Sequence, residues 1–327
     1  MNTSIPGTGE RNLVLAAGRA HPGLADAVAE ELGIGLLPLS AYDFANSETY
    51  VRFGESVRGA DIFLLQSHTA PVNQWLMEHL LMVDAAKRAS ARTVTAVTPF
   101  YGYARQDKKS RGREPISARL VADLLRTAGA DRIMSVDLHT AQIQGFFNGP
   151  VDHLWAMPVL TEYVRTRVDT SNVTVVSPDA GRIRVAEQWA EKLGGSPLAF
   201  VHKTRDVTRP NQAVANRVVG DVEGRECVLV DDLIDTGGTI AEAVKVVLDA
   251  GAKSVLVAAT HGVLSDPAGQ RLSECGVSEV VVTDTLPISA DKRFDRLTVL
   301  SIAPLLARAI REVFDDGSVT SLFDGNS

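Results

Sequence analysis

The run Cys227-Val228-Leu229-Val230-Asp231-Asp232-Leu233-Ile234-Asp235-Thr236-Gly237-Gly238-Thr239 carries the densest chemistry in the sequence. Cys227 to Val230 are apolar without a break, the pattern of a strand buried on both faces of a parallel α/β sheet. Asp231 and Asp232 stand at its carboxyl end, where open α/β sheets bind their ligands. Beyond them Gly237 and Gly238 let backbone N–H groups approach a ligand closely, and Thr236 and Thr239 add hydroxyls. Ile240, Ala243, Val244, Val247 and Leu248 then fall at helical spacing. A helix start presents orphan N–H groups and the positive end of a dipole, so this turn reads as a phosphate seat. The two acids would repel a phosphate and are costly at a strand end without partners. They are expected to face hydroxyls or a cation. A phosphate at one end and a vicinal diol a few ångströms away describe a pentose 5-phosphate.

Other stretches offer chemistry with less specificity. Pro99 to Pro115 holds five basic and three aromatic residues. Arg105 and Gln106 in it suit phosphate or ring contacts, Arg being the better match to a planar fork. By composition this stretch is equally a solvated basic loop. Phe44-Ala45-Asn46-Ser47-Glu48 mixes an aromatic ring with polar groups, and His139 stands two residues beyond Asp137. No Gly-x-x-x-x-Gly-Lys-[Ser/Thr] or Gly-x-Gly-x-x-Gly motif occurs, so neither common nucleotide fingerprint applies.

The elements that must position these residues follow an α/β rhythm. Strands are expected at 12–17, 35–39, 61–66, 93–98 and 132–137, with helices at 21–32, 71–90 and 117–127. Tyr42 to Phe53 breaks the pattern and ends like a hairpin strand. The plan repeats with a helix from Met157 to Arg167. Strands follow at 173–176, 198–203, 227–230, 254–260, 279–283 and 297–301, with helices near 185–193 and 302–314. The 327 residues suffice for two domains of ordinary size, and 45% hydrophobic content with few aromatics suits such layers. The boundary is expected near Met157, giving 1–156 and 157–327. The last helix is expected to pack back on the first domain, and residues 1–10 are expected to be a flexible tail. A net charge of −7 argues against a nucleic-acid or membrane-surface protein. Two cysteines imply no disulfide framework and fit a cytoplasmic setting.

The Val-Asp-Asp-x-x-Asp-Thr-Gly-Gly-Thr loop resembles the phosphoribosyl diphosphate loop of type I phosphoribosyltransferases and of ribose-phosphate diphosphokinases. Tyr101-Gly102-Tyr103-Ala104-Arg105-Gln106-Asp107-Lys108, Asp137-Leu138-His139, Gln142 to Phe147, Ser177-Pro178-Asp179 and Thr260-His261-Gly262-Val263 resemble the diphosphokinases alone. The run from His202 to Asp206 is similar to actinobacterial members. The resemblance implies two tandem type I phosphoribosyltransferase-like domains, each a mostly parallel sheet flanked by helices. It implies transfer of the diphosphoryl group of Mg-ATP to the anomeric hydroxyl of D-ribose 5-phosphate, giving 5-phosphoribosyl 1-diphosphate and AMP for nucleotide, histidine and tryptophan biosynthesis.

Carried residue by residue, the resemblance gives Lys203 and Arg205 the catalytic charge. Asp231, Asp235, Thr236, Gly237, Gly238 and Thr239, with Arg205, would hold ribose 5-phosphate. Phe44, Asn46, Ser47, Glu48, Arg105 and Gln106 would hold ATP, the first four reaching it from a neighbouring subunit. His139 and Asp179 would hold Mg2+. A homo-hexamer regulated by phosphate and ADP is also implied. Ser47 departs from the family's usual Gly, which matters if that position needs positive φ. Thr204 stands where many members carry Arg. A non-catalytic synthetase-associated subunit is the rival reading, and the intact Lys203, Arg205, His139, Asp179 and Asp-Thr-Gly-Gly-Thr loop favour catalysis over it.

Overall fold

The structure is a computed structural model and describes residues 4–6, 11–204 and 215–323. The chain forms two compact units. The first takes residues up to Ala156, Thr285–Pro287 and the chain from Ser301; the second takes Met157–Asp284 and Ile288–Leu300.

In the first unit the strands are β1 (Ser4–Pro6), β2 (Asn12–Ala17), β3 (Leu39–Asp43), β4 (Thr49–Phe53), β5 (Asp61–Leu65), β6 (Thr93–Thr98), β7 (Arg132–Val136) and β8 (Val151–Leu154). Its helices are α1 (Pro22–Leu32), α2 (Val72–Arg88) and α3 (Ser117–Ala128). Six strands form one sheet in the order β1-β2-β5-β6-β7-β8, parallel throughout except for β1. Helices cover its faces, so β5 is buried at every position. The one acid there, Asp61, is held by Arg11 at 3.1 Å, by Thr93 at 2.6 Å and by Arg92. Helix α1 starts where His21 Nδ1 accepts the Leu24 N–H and stops at Gly33, left-handed at φ 72°.

The second unit opens with α4 (Met157–Arg165), β9 (Val173–Ser177), α5 (Ile183–Lys192), β10 (Leu198–Thr204) and β11 (Ala215–Val219). It continues with β12 (Glu226–Ile234), α6 (Gly238–Asp249), β13 (Ser254–Gly262), α7 (Ala268–Glu274), β14 (Glu279–Thr283) and β15 (Leu297–Leu300). The sheet order is β11-β10-β9-β12-β13-β14-β15, and only β11 runs antiparallel to its neighbour. Val244 and Val247 of α6 pack with Leu229, Val257 and Val280 in its core. The chain then returns to the first unit as α8 (Ala303–Phe314), which packs on α1.

Four differences from the sequence reading have physical causes. Ser4–Pro6, expected within a flexible tail, is an edge strand on β2; backbone pairing at an edge needs no apolar pattern. The strand expected at 35–39 is absent, because this stretch meets β2 only through the Leu37 N–H on Leu15 O, and Pro38 has no N–H to donate. Pairing resumes with Leu39 opposite Phe53, in the separate β3–β4 hairpin. The short elements β8, β11 and α7 carry too little periodicity to read. Finally, β12 runs past its apolar stretch through both acids to Ile234, paired with β13 as far as Gly262.

Candidate functional site

Strand β9 stops pairing with β12 at Val176 opposite Leu229, while β13 follows β12 onward past Asp231 and Leu233. The acids therefore lie on the part of β12 whose edge β9 has left. The turn after β9 fills part of it with Arg182, whose Nη2 lies 2.7 Å from Asp232 Oδ1 and whose Nε lies 3.4 Å from Asp231 Oδ1. Asp231 Oδ1 also accepts the Asp232 N–H at 2.8 Å. Burial, then the adjacent Asp232 charge, pushes the Asp231 carboxyl well above the usual range. One guanidinium thus meets two partly buried carboxylates at once. Arg182 is the partner that sequence reasoning missed; it lies 49 residues before Asp231 in another loop.

Past Ile234, Asp235 is partly exposed and Thr236 exposed. Arg271 donates to the Thr236 carbonyl at 3.0 Å. Gly237 takes φ 70°, and a Cβ there would also meet Ala268 Cα at 3.3 Å. The left-handed residue reverses the chain so that α6 starts at Gly238, with the Gly237 carbonyl accepting the Ala241 N–H. The first-turn N–H groups of a helix lack intrahelical acceptors, and Thr239 stands exposed among them. Orphan N–H groups and the positive end of a helix dipole favour an anion at such a position.

Asp179 caps the short helical turn after β9, its Oδ1 accepting the Gly181 N–H at 2.8 Å. Strand β10 carries Lys203 on its backbone to the same carboxyl edge of the sheet. Lys203's side chain and the whole of Arg205 lie outside the described residues.

In the first unit Phe44, Asn46, Ser47 and Glu48 form the exposed β3–β4 turn. The Phe44 N–H donates to Glu48 O and the Ser47 N–H to Phe44 O, both at 2.8 Å. Ser47 takes φ 70°, so this position does require the left-handed region. A non-glycine residue there costs roughly 1–2 kcal/mol. Phe44 is 47% exposed and meets Tyr42 edge-on at 5.4 Å, leaving an aromatic surface at the tip. Where β3 enters this turn Arg19 bridges Asp43, at 2.7 Å, and the fully buried Glu78, at 2.6 Å.

Arg105 and Gln106 are exposed in the loop after β6. Gln106 is partly committed to starting α3, since its carbonyl accepts the Ala118 N–H and its Oε1 the Ser117 hydroxyl at 2.6 Å. The next residue, Asp107, is buried and accepts from Thr140 Oγ1 at 2.7 Å and Gln142 Nε2 at 2.6 Å. It thereby ties this loop to the one bearing the half-buried His139. Among the described residues no three His, Cys, Asp or Glu side chains gather as a ligand set. His139 and Asp179 each offer one donor, in different units.

Comparison with known proteins is consistent along the chain. Residues 13–129 match the family described as the N-terminal domain of ribose phosphate pyrophosphokinase, and residues 202–324 match the phosphoribosyl synthetase-associated domain. A ribose-phosphate pyrophosphokinase of Bifidobacterium longum is 71% identical over 322 residues, 98% of this chain and 95% of that protein. One from Streptomyces coelicolor is 64% identical, covering 98% and 99% respectively. The crystal structure of phosphoribosylpyrophosphate synthetase from Mycobacterium smegmatis superposes with a TM-score of 0.89 at 66% identity. That match covers 93% of this chain and 99% of the other.

Proposed function

The chain belongs to the ribose-phosphate pyrophosphokinase family and makes 5-phosphoribosyl 1-diphosphate from ribose 5-phosphate and ATP, and we propose that its second unit binds the sugar phosphate while its first presents groups for ATP. The observation that carries the assignment is the left-handed Gly237, which aims the start of α6 beyond Asp231. In this reading Asp235, Thr236, Gly237, Gly238 and Thr239 cradle the 5-phosphate. Asp231 accepts hydrogen bonds from ribose hydroxyls, and Arg182 keeps the acid pair ordered between turnovers.

The anomeric hydroxyl attacks the β-phosphorus, loses its proton, and the bond from that phosphorus to the AMP oxygen breaks. Negative charge on the diphosphoryl group in flight is the main barrier, so fixed positive charge is the main need. Lys203 and Arg205 stand two apart in the sequence, a spacing that in an extended segment puts two residues on one face. Phe44, Asn46, Ser47 and Glu48 present a ring and polar groups suited to adenine, and Arg105 with Gln106 suits its phosphates.

The donor set suits Mg2+, which takes few protein ligands and fills its shell with waters and phosphate oxygens. His139 and Asp179 would hold it, and bound magnesium would neutralise phosphate charge. A homo-hexamer in the cytoplasm, regulated by phosphate and ADP, belongs to the same proposal. Among the described residues no helix is long and apolar enough to cross a membrane.

The test separates binding from catalysis. Lys203→Ala is expected to lower kcat about 10²-fold or more, as loss of one preorganised donor does. Asp231→Ala should place more of its loss in KM for ribose 5-phosphate, read as AMP formation. A near-normal kcat in Lys203→Ala would remove Lys203 from the reaction centre.

A further inference from the structure

Immediately after β5 the chain continues as Gln66-Ser67-His68, each without exposed surface. His68 Nδ1 lies 3.0 Å from the Gly102 N, His68 Nε2 lies 3.3 Å from Nδ1 of the buried His79 on α2, and His79 Nε2 lies 3.1 Å from Leu64 O. The ends of this chain fix its sense. Gly102 N–H can only donate and the Leu64 carbonyl can only accept, so each neutral imidazole must accept at Nδ1 and donate at Nε2. Burial holds both rings neutral, pushing His68 well below its usual value and His79 down to about 4.

Gly102 is pressed against this pair from the other side. A Cβ at that position would meet His68 Cβ at 2.9 Å and Val72 Cγ1 at 3.0 Å. Tight turning follows at once: Tyr103 takes φ 65°, and the Gln106 N–H returns to Tyr103 O at 2.9 Å. Gly102 is thus the inner anchor of the turn that exposes Arg105 and Gln106.

We propose that His68 is a positioning residue for ATP binding: it holds the turn 102–106 through the Gly102 N–H, in a tautomer that His79 sets. The inference rests on the assignment of Arg105 and Gln106 to ATP. A histidine that only filled space would be replaced equally well by either amide. A positioning acceptor would not, because the Asn oxygen falls near the Nδ1 position whereas Gln reaches toward Nε2.

The experiment compares His68→Gln with His68→Asn. His68→Gln is expected to raise KM for ATP about tenfold, in line with loss of one buried hydrogen bond, with KM for ribose 5-phosphate within about twofold. Amide exchange over 101–106 should accelerate. His68→Asn should recover most of both losses. Equal damage from the two variants, or an equal rise in both KM values, would overturn the proposal. Gly102→Ala keeps every buried polar side chain and should raise KM for ATP by the same path, so it decides the matter if neither amide variant folds; an unchanged KM for ATP there also overturns the proposal. Arg105→Ala tests the parent reading separately. If it leaves KM for ATP unchanged, the ATP assignment falls, whereas the exchange data still report whether His68 holds the turn.

Discussion

His79 has no exposed surface between α2 and β5, and its ring has only Leu64 O and His68 as hydrogen-bond partners among the described contacts. Its pKa of about 4 against an ordinary 6.5 has a direct consequence for stability. Below pH 6.5 the unfolded chain takes up a proton that the folded chain refuses until about pH 4. The contribution is therefore complete above 6.5 and is lost as pH falls toward 4. At 1.36 kcal/mol per unit it amounts to something on the order of 3 kcal/mol. His79→Gln removes the titration, so its unfolding free energy should fall less between pH 7 and pH 4.5 than that of the unchanged protein. Urea unfolding at several pH values measures this, and parallel curves would show that His79 is not held neutral. Asp231 shows burial acting the other way on an acid, raising its pKa because the ionised form is what burial disfavours.

The β3–β4 hairpin lies outside the main sheet of its unit, packs Leu39, Val51 and Phe53 against the core, and is tied to its neighbours by polar side chains as well. Arg19 joins Asp43 of β3 to Glu78 of α2, Gln74 of α2 also donates to Asp43 at 3.1 Å, and Gln66 donates to Glu78 at 3.0 Å. The two arms of Arg19 differ in worth. Glu78 is fully buried, and a buried carboxylate left without its partner costs about 3 kcal/mol or more. Asp43 faces solvent, where an ion pair gains little. Arg19→Met should therefore destabilise the protein by about 3 kcal/mol, with most of the loss recovered in Arg19→Met/Glu78→Gln. Asp43→Asn should leave stability almost unchanged. Thermal unfolding of the four proteins checks the order, and Asp43→Asn matching Arg19→Met would reverse the assignment of cost. Because the hairpin carries Phe44 and Glu48 at its tip, this anchor also sets where the proposed adenine contacts are presented.

At the scale of the whole molecule, each unit has its own mostly parallel sheet with one antiparallel edge strand, yet only the second carries the Asp-Thr-Gly-Gly-Thr turn. The proposed adenine contacts stand on the first. The proposal that neighbouring subunits complete each other's sites has a mixing test. Phe44→Ala and Lys203→Ala are each expected to be nearly inactive. Dissociated and reassembled together they should regain a substantial fraction of activity, because some shared sites would receive an intact Phe44 and an intact Lys203. Mixed oligomers no more active than their components would place both residues in sites made within one chain.

The sequence by itself determined the α/β class, the order of the long elements and the glycine turn between β12 and α6. These are local matters: continuous apolar runs make buried strands, apolar residues at helical spacing make covering helices, and Gly237 permits the left-handed turn at no steric cost. The motifs also identified the family, since the chemistry of a phosphate loop and of the loops around it is written in contiguous residues. What only the tertiary structure decided is which distant groups meet. Arg182 reaches Asp231 and Asp232 because β9 ends short of β12, Arg19 joins a hairpin to a helix, and His68 meets Gly102 and His79 in the interior. Ser47 had to be seen in its turn before its positive φ was known. Each of these depends on sheet order and strand length, which are fixed by the packing of the whole unit and leave no mark on the spacing of residues along the chain.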